Sequence, residues 1–284
     1  MITVQNLSFS YPGTQVPAID GVSFSIKKGE IFGFLGPNGA GKSTTQKILT
    51  GLIRGYSGDV FVLGKKLVEW SRDYYEQIGV CFELPNHYPK LTARENLKLF
   101  SSFYPGKTAD PQTILQMVGL GENMDRRVGS FSKGMKMKLN IARCLLHDPK
   151  VLFLDEPTSG LDPASARKIK DIIILKKNEG KTVFLTTHNM ALADELCDKV
   201  SFMINGRIRI TESPQMLKLL YGKRVVRVEY QAGEGTDFLE FPLDGLGNNQ
   251  DFLSFIKSVE IRTMHTEEAT LENIFISVTG RDLR

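Results

Sequence analysis

The chain has 284 residues, 41% apolar and 24% charged, with 36 Lys+Arg against 32 Asp+Glu and a formal charge of +4. This composition excludes a disordered, collagenous or disulfide-dense chain, and the length suits one large domain or one domain with a small annex. The net charge conceals an asymmetry: residues 1–220 carry 29 basic and 21 acidic groups, residues 221–284 carry 7 and 11. No stretch approaches the ~18–20 uninterrupted apolar residues of a membrane-spanning helix. The start, Met1-Ile-Thr-Val-Gln, lacks the basic and then apolar run of a signal peptide. Cys81, Cys144 and Cys197 are odd in number and far apart, which points to neither a disulfide framework nor a zinc site and makes a reducing cytosol the expected compartment.

In chain order, residues alternating on a two-residue period predict strands over Ile2 to Ser10 and Gly21 to Ile26, broken by turn chemistry at Tyr11-Pro12-Gly13. Glu30 to Leu35 reads as a short apolar strand running into a Gly-rich turn, and further strands are expected at Asp59 to Leu63 and Ile78 to Phe82. Helical signals then fill Leu84 to Asp148. Thr92-Ala-Arg-Glu95 is a capping box, Asp110-Pro111 an N-cap with an N1 proline, and Ser132 precedes a helix with an apolar stripe through Leu139, Ala142, Leu145 and Leu146. The buried-type strands Val151 to Leu154 and Thr182 to Thr186 alternate with a helix capped by Asp162-Pro163 and another near Met190 to Cys197. Strands over Val200 to Ile204 and Arg207 to Thr211 and a short helix after Ser213-Pro214 follow. This alternation implies an α/β fold with a mainly parallel sheet, carrying an antiparallel β subdomain at its start and a helical insert over about 84–148. The acidic segment 221–284 reads as a small α/β annex, with strands at Arg224 to Tyr230, Phe238 to Leu243 and Val259 to Met264, a helix near Asp251 to Lys257, and a last helix capped by Thr270.

Gly36-Pro37-Asn38-Gly39-Ala40-Gly41-Lys42-Ser43-Thr44 matches G-x-x-x-x-G-K-[ST] between an apolar strand and a helical stretch expected from Thr45. The glycines let successive N–H groups turn toward phosphate oxygens, the helix N-terminus adds positive potential, Lys42 reaches the outer phosphates and Ser43 coordinates Mg²⁺. Asp155-Glu156 ends a buried strand. In a nucleotide site the first holds Mg²⁺ and the second is the general base on the attacking water, a weak signal alone and a strong one beside the glycine loop.

From these residues, about 1–220 resembles the ATP-binding subunit of ABC transporters. Phe131-Ser132-Lys133-Gly134-Met135 stands in place of the L-S-G-G-Q signature, Ser159-Gly160-Leu161-Asp162 in place of the D-loop, and His188 in place of the switch histidine. The resemblance implies a P-loop NTPase of ABC type that hydrolyses ATP with Mg²⁺ and pairs head to tail, as a homodimer or heterodimer, around two ATP molecules. It implies that Ser132, Gly134 and Asp162 act across the dimer, that His188 contacts the γ-phosphate, and that Tyr11 stacks on adenine with Val16 as a second contact. Ser132 is equally an ordinary N-cap, and Tyr11 equally a packed turn residue. Lys133 and Met135 depart from the signature; Lys133 either adds charge near the phosphates or sits in solvent.

Glu83 occupies the place of the family's Q-loop glutamine and, as a carboxylate, is a candidate direct Mg²⁺ ligand unless it is a displaced loop residue. Between Glu83 and Tyr104 the aromatic and apolar residues are either core or the groove that receives a helix of a separate transmembrane permease, with Tyr88 or Leu91 on the docking face. His87, His147 and His265 match no motif and are expected in loops or at the surface.

The C-terminal Thr270-Leu-Glu-Asn-Ile-Phe-Ile-Ser-Val-Thr-Gly280 is similar to the ending of ATPases that export drugs, lipids and polysaccharides. The expectation is therefore a cytoplasmic ATPase, peripheral on the inner face of the membrane, that powers export by its membrane partner and has no nucleic-acid partner. A soluble ABC-type ATPase of translation or DNA repair is the alternative. Translation types carry two motif sets and repair types long coiled coils, whereas this chain has one set and no heptads. A P-loop GTPase switch lacks its N-K-x-D element here.

Overall fold

A computed structural model describes residues 1–222, 225–233, 235–267 and 269–280. Residues 1–213 form one compact unit, and the chain from Pro214 onward forms a second.

In the first unit, β1 (Ile2–Phe9) and β2 (Ile19–Ile26) lie beside β4 (Ser57–Val62) and β5 (Lys65–Lys66) in an antiparallel sheet of order β2-β1-β4-β5. Their two-residue period sends Ile2 and Val4 from one strand and Val22, Phe24 and Ile26 from its neighbour into the core. The larger sheet contains β3 (Ile31–Leu35), β6 (Ile78–Cys81), β7 (Val151–Asp155), β8 (Thr182–Thr187), β9 (Lys199–Ile204) and β10 (Arg207–Glu212), ordered β10-β9-β3-β8-β7-β6. All pairs in it are parallel except β9 with β10. Every residue of β3, β7 and β8 is buried, which is why these strands read as continuous apolar runs and not as alternating ones. Phe24 of the small sheet meets Phe32 and Phe34 of β3, with ring centroids 5.4 and 5.0 Å away, and Phe184 of β8 joins the same cluster. One core therefore binds the two sheets together.

The helices α1 (Lys42–Leu49), α6 (Pro163–Asn178) and α7 (Met190–Leu196) pack on β3, β7 and β8, and the short α2 (Tyr74–Gln77) leads into β6. The helical insert comprises α3 (Ala93–Ser101), α4 (Pro111–Met117) and α5 (Lys133–Leu145). Each start carries the cap its sequence specifies: Thr92 and Glu95 complete a capping box, while Asp110, Ser132 and Asp162 accept backbone N–H bonds at the heads of α4, α5 and α6. Several boundaries differ from the sequence reading by one to three residues, two of them at the site. The first helix starts at Lys42, not Thr45, because Gly41 at φ +107 turns the chain directly into it. The strand expected to end at Thr186 runs on to Thr187 through its pairing with Leu35.

The second unit contains α8 (Pro214–Tyr221), β11 (Val225–Ala232), β12 (Gly235–Pro242), α9 (Gln250–Ser258), β13 (Ile261–Glu267) and α10 (Leu271–Thr279). Its antiparallel sheet, ordered β12-β11-β13, presents Val226 and Val228 to Phe252 of α9. Leu217 of α8 is buried along with Leu271, Ile274 and Phe275 of α10, and the packing of these two helices on each other sets the boundary at Ser213/Pro214, ahead of the residue 220 read from sequence. Arg224, the expected start of the first annex strand, lies outside the described residues. Among the described residues no helix is long and apolar enough to cross a membrane.

Replacing the capping threonine, Thr92→Ala, is expected to lower the unfolding free energy by about 1 kcal/mol in urea titration, with the nucleotide site untouched.

Candidate active site

The C-terminal ends of β3, β7 and β8 are neighbours in the sheet, with Leu35 opposite Thr187 and Asp155 opposite Thr186. The functional side chains therefore converge at one rim of a parallel sheet, where such folds place their ligands. The loop from Gly36 to Gly41 leaves β3 and enters α1. At Gly41 an added Cβ would stand 2.5 Å from the Ala18 carbonyl oxygen, and at Gly36 it would collide with that of Met203, so both glycines are required by packing as well as by turn conformation. Ala40 is buried and Asn38 and Gly39 are at the surface. Lys42 folds back over the loop and donates to the Gly36 and Pro37 carbonyl oxygens at 2.6 and 3.0 Å. Burial holds its ammonium below the ordinary lysine range, against the opposing pull of Glu156, Asp155 and Glu83.

Asp155 accepts from Thr186 Oγ1 and stands 3.5 Å from Ser43 Oγ. Burial raises its pKa above the usual aspartate range, the Thr186 and Ser43 hydrogen bonds oppose the shift, and Glu156 and Glu83 add to it. Glu156 sits just past the strand at φ +47, a left-handed conformation unusual for a side-chain-bearing residue. Its N–H donates to Thr186 O at 2.9 Å, its Oε2 accepts from Thr187 Oγ1 at 2.9 Å, and its Oε1 accepts from His188 N at 2.8 Å with His188 Nδ1 at 2.7 Å. Glu83 is exposed, yet its charge acts on both Lys42 and Asp155, which places it beside the site. Tyr11 Oη lies 3.2 Å from Thr44 Oγ1, with its ring edge-on to Phe9 and 39% exposed, while Val16 is 74% exposed.

Ser132, Gly134 and Asp162 form a second cluster at the heads of α5 and α6. No described hydrogen bond or ion pair joins them to the phosphate loop within this chain. Ser132 Oγ accepts from Met135 N at 3.2 Å and Asp162 from Ser165 N at 2.9 Å. A Cβ at Gly134 would stand 2.9 Å from Gly160 O, so the surviving glycine of the signature admits the D-loop. Lys133 lays its stem on Gly160 with Nζ 3.4 Å from Ser159 Oγ, which ties it to that loop.

Several contributors were not found from sequence. Thr186 read only as the end of a strand and Thr187 had no assignment, although two hydroxyls immediately before His188 at the end of an apolar strand were the available signal. Gln46 is fully buried beside Thr186, and its Nε2 has no partner. Asn140 and Arg143 interrupt the apolar stripe of α5 and donate to the Phe82 and Asn86 carbonyl oxygens at 2.8 Å, bracing the loop that carries Glu83. His87 and His147 lie in loops, as expected, and are half-buried there. His87 packs under Lys136 O, with burial lowering its pKa to about 4, and His147 stacks on Tyr104 at 4.0 Å.

Residues 19–159 match the ABC transporter family, and residues 224–268 match the family described as the fluoroquinolone efflux ABC transporter C-terminal domain. A fluoroquinolones export ATP-binding protein of Mycobacterium tuberculosis is 54% identical over 284 residues, covering 100% of this chain and 94% of its own. The chain belongs to the ABC transporter ATP-binding proteins. Within that family, the Nod factor export ATP-binding protein I of Burkholderia pseudomallei is 34% identical, with 93% of both chains covered. Among solved structures, the ATP-binding subunit of an ABC transporter superposes with a TM-score of 0.71 at 29% identity over 78% of this chain and 93% of that one. A dimeric ATP-binding cassette in a post-hydrolysis state bound to ADP and Pi gives 0.68 at 26% identity over 75% and 98%.

The oxygen donors of this cassette fit a hard divalent cation: the Ser43 hydroxyl and the Asp155 carboxylate, with Glu83 nearby. Among the described residues no three His, Cys, Asp or Glu side chains form a self-contained metal cage. That suits Mg²⁺, which is held by one or two protein groups and completed by phosphates and water.

Because Asp155 is raised, its ionisation works against the folded state, and the stability it contributes below its unfolded pKa is lost as pH rises through its folded pKa. Asp155→Asn is therefore expected to raise the melting temperature of the nucleotide-free protein at pH 7, by ~2–4 °C per kcal/mol relieved. The stabilisation by MgADP should shrink in the same variant. An unchanged or lowered nucleotide-free melting temperature would refute this account of the buried charge.

Proposed function

We propose that this chain is the ATP-hydrolysing subunit that dimerises around two MgATP and powers export by a separate membrane-spanning partner, from the cytoplasmic face. The observation that carries the reading is the convergence of the phosphate loop, Asp155, Glu156 and His188 at the ends of β3, β7 and β8. Lys42 leaves its two loop carbonyls to meet the β- and γ-phosphates, and the loop N–H groups from Asn38 to Thr44 cradle them. Ser43, Asp155 and Glu83 hold Mg²⁺, which when bound neutralises phosphate charge. Tyr11 offers a half-open ring face for adenine, with Val16 at its edge. Glu156 takes the proton of the attacking water, while His188 meets its carboxylate through Nδ1 and stands where it can contact the γ-phosphate. Ser132, Gly134 and Asp162 face the γ-phosphate held by the opposite subunit of a homodimer or heterodimer.

The exposure of Leu84, Tyr88 and Phe103 supports a docking face for the membrane partner between Glu83 and Tyr104, since core residues would be covered. The acidic annex from residue 221 has the place of a partner-choice or dimer-regulating module, and the relatives named for fluoroquinolones export and Nod factor export favour export as the direction of transport.

Glu156→Gln is expected to retain ATP binding, lose roughly 10²–10⁴-fold in turnover and accumulate an ATP-dependent dimer in size-exclusion chromatography. Undiminished turnover would sink the assignment of the base. Tyr88→Asp should preserve ATPase activity of the isolated chain and abolish transport with the membrane partner; loss of both together with the fold would instead make Tyr88 a core residue.

A further inference from the structure

A cavity of about 590 Å³ opens between the end of α1, β4 and α2, lined by residues with no part in the nucleotide site. Four of its walls are aromatic: Tyr56, Trp70, Tyr74 and Tyr75. Trp70 is fixed by its Nε1 donating to Val62 O at 3.1 Å and by Lys65 Nζ lying 4.8 Å over its ring, and the Tyr74 ring stands 5.4 Å from it. Trp70 and Tyr74 are therefore held in place by contacts within the chain. The charges of the lining are unbalanced. Lys66 is neutralised by Asp59 at 2.9 Å, whereas among the described residues no carboxylate pairs with Arg54 or Arg72, leaving two free guanidinium groups.

We propose that this cavity binds a small planar aromatic carboxylate, its ring against the aromatic wall formed by Tyr56, Trp70 and Tyr75 and its carboxylate on Arg54 and Arg72. A guanidinium offers a carboxylate two parallel N–H bonds, and aromatic walls with a few placed charges are the usual composition of a small-ligand pocket of this size. The location also gives the ligand leverage. Tyr74 Oη donates to Leu49 O at 2.5 Å, at the far end of the helix whose head holds Lys42, and α2 runs through β6 to Glu83. An occupant here lies beside both arms that reach the nucleotide site.

Trp70 is the single tryptophan of the chain, so its fluorescence reports on this cavity alone. Titration of the full chain with 3-bromobenzoate, whose bromine quenches tryptophan on contact, is expected to give saturable one-to-one quenching that persists in saturating MgADP. The neutral 3-bromobenzamide should bind roughly tenfold more weakly, and Arg54→Gln and Arg72→Gln should each weaken the carboxylate by about the same factor. Circular dichroism and MgADP binding of both variants should match the unaltered chain, since neither arginine supports the fold or the nucleotide site. Quenching that does not saturate, equal affinity for the amide, or loss of binding in MgADP would each overturn the proposal, the last by placing the probe in the nucleotide site. The proposed ATPase activity is measured separately, and its absence would leave this binding result standing.

Discussion

The site depends on one strained residue and the hydrogen bonds that hold it. A non-glycine residue in the left-handed region costs on the order of 1–2 kcal/mol, and Glu156 adopts it where β7 gives way to the following loop. Thr186 O binds its N–H, and Thr187 and His188 hold its carboxylate from both sides. These partners all come from β8 and the residue after it. The carboxylate is thereby positioned before any water or nucleotide is present, and its location follows from the parallel register of two buried strands.

Around Glu156 the charge is deliberately out of balance. Asp155, Glu156 and Glu83 act together on one buried ammonium, Lys42. Burial disfavours the charged form of both Asp155 and Lys42, a cost that opposite charges brought close to them would offset. Beside them, the Gln46 amide donor is buried with no partner among the described residues. A strained backbone, an excess of carboxylates and an orphaned donor within one small volume are the signs of a site built to be completed by its ligand.

The helical insert and the second unit follow ordinary rules of packing and capping. In the insert, side-chain caps at Thr92, Asp110 and Ser132 begin the helices, and Asn140 and Arg143 reach from α5 to brace the loop carrying Glu83. Signature and Q-loop are thus joined within one chain by two polar side chains. The second unit has its own small core of Val226, Val228 and Phe252, and its similarity to a fluoroquinolone efflux C-terminal domain sets this chain apart from cassettes that end near residue 220.

Length, charge asymmetry, the order of strands and helices, the caps and the phosphate-binding motif were all legible in the sequence. Each is local: periodicity, turn chemistry and cap residues are set by neighbours a few positions apart. The opposite charges of residues 1–220 and 221–284 already separated body from annex, although the unit boundary moved to Ser213/Pro214 because α8 packs on α10. What only the tertiary structure decided is which side chains meet across long separations. Thr186 and Thr187 looked like strand filler until the β7–β8 register set them against Asp155 and Glu156. His87 and His147 are loop residues as read, but only the fold showed that α5 and Tyr104 pack against them. The cavity beside Trp70 is formed by segments whose turns gave no sign of a common wall, because burial and pairing between distant segments arise from the packing of the whole core and leave no periodic trace in the chain.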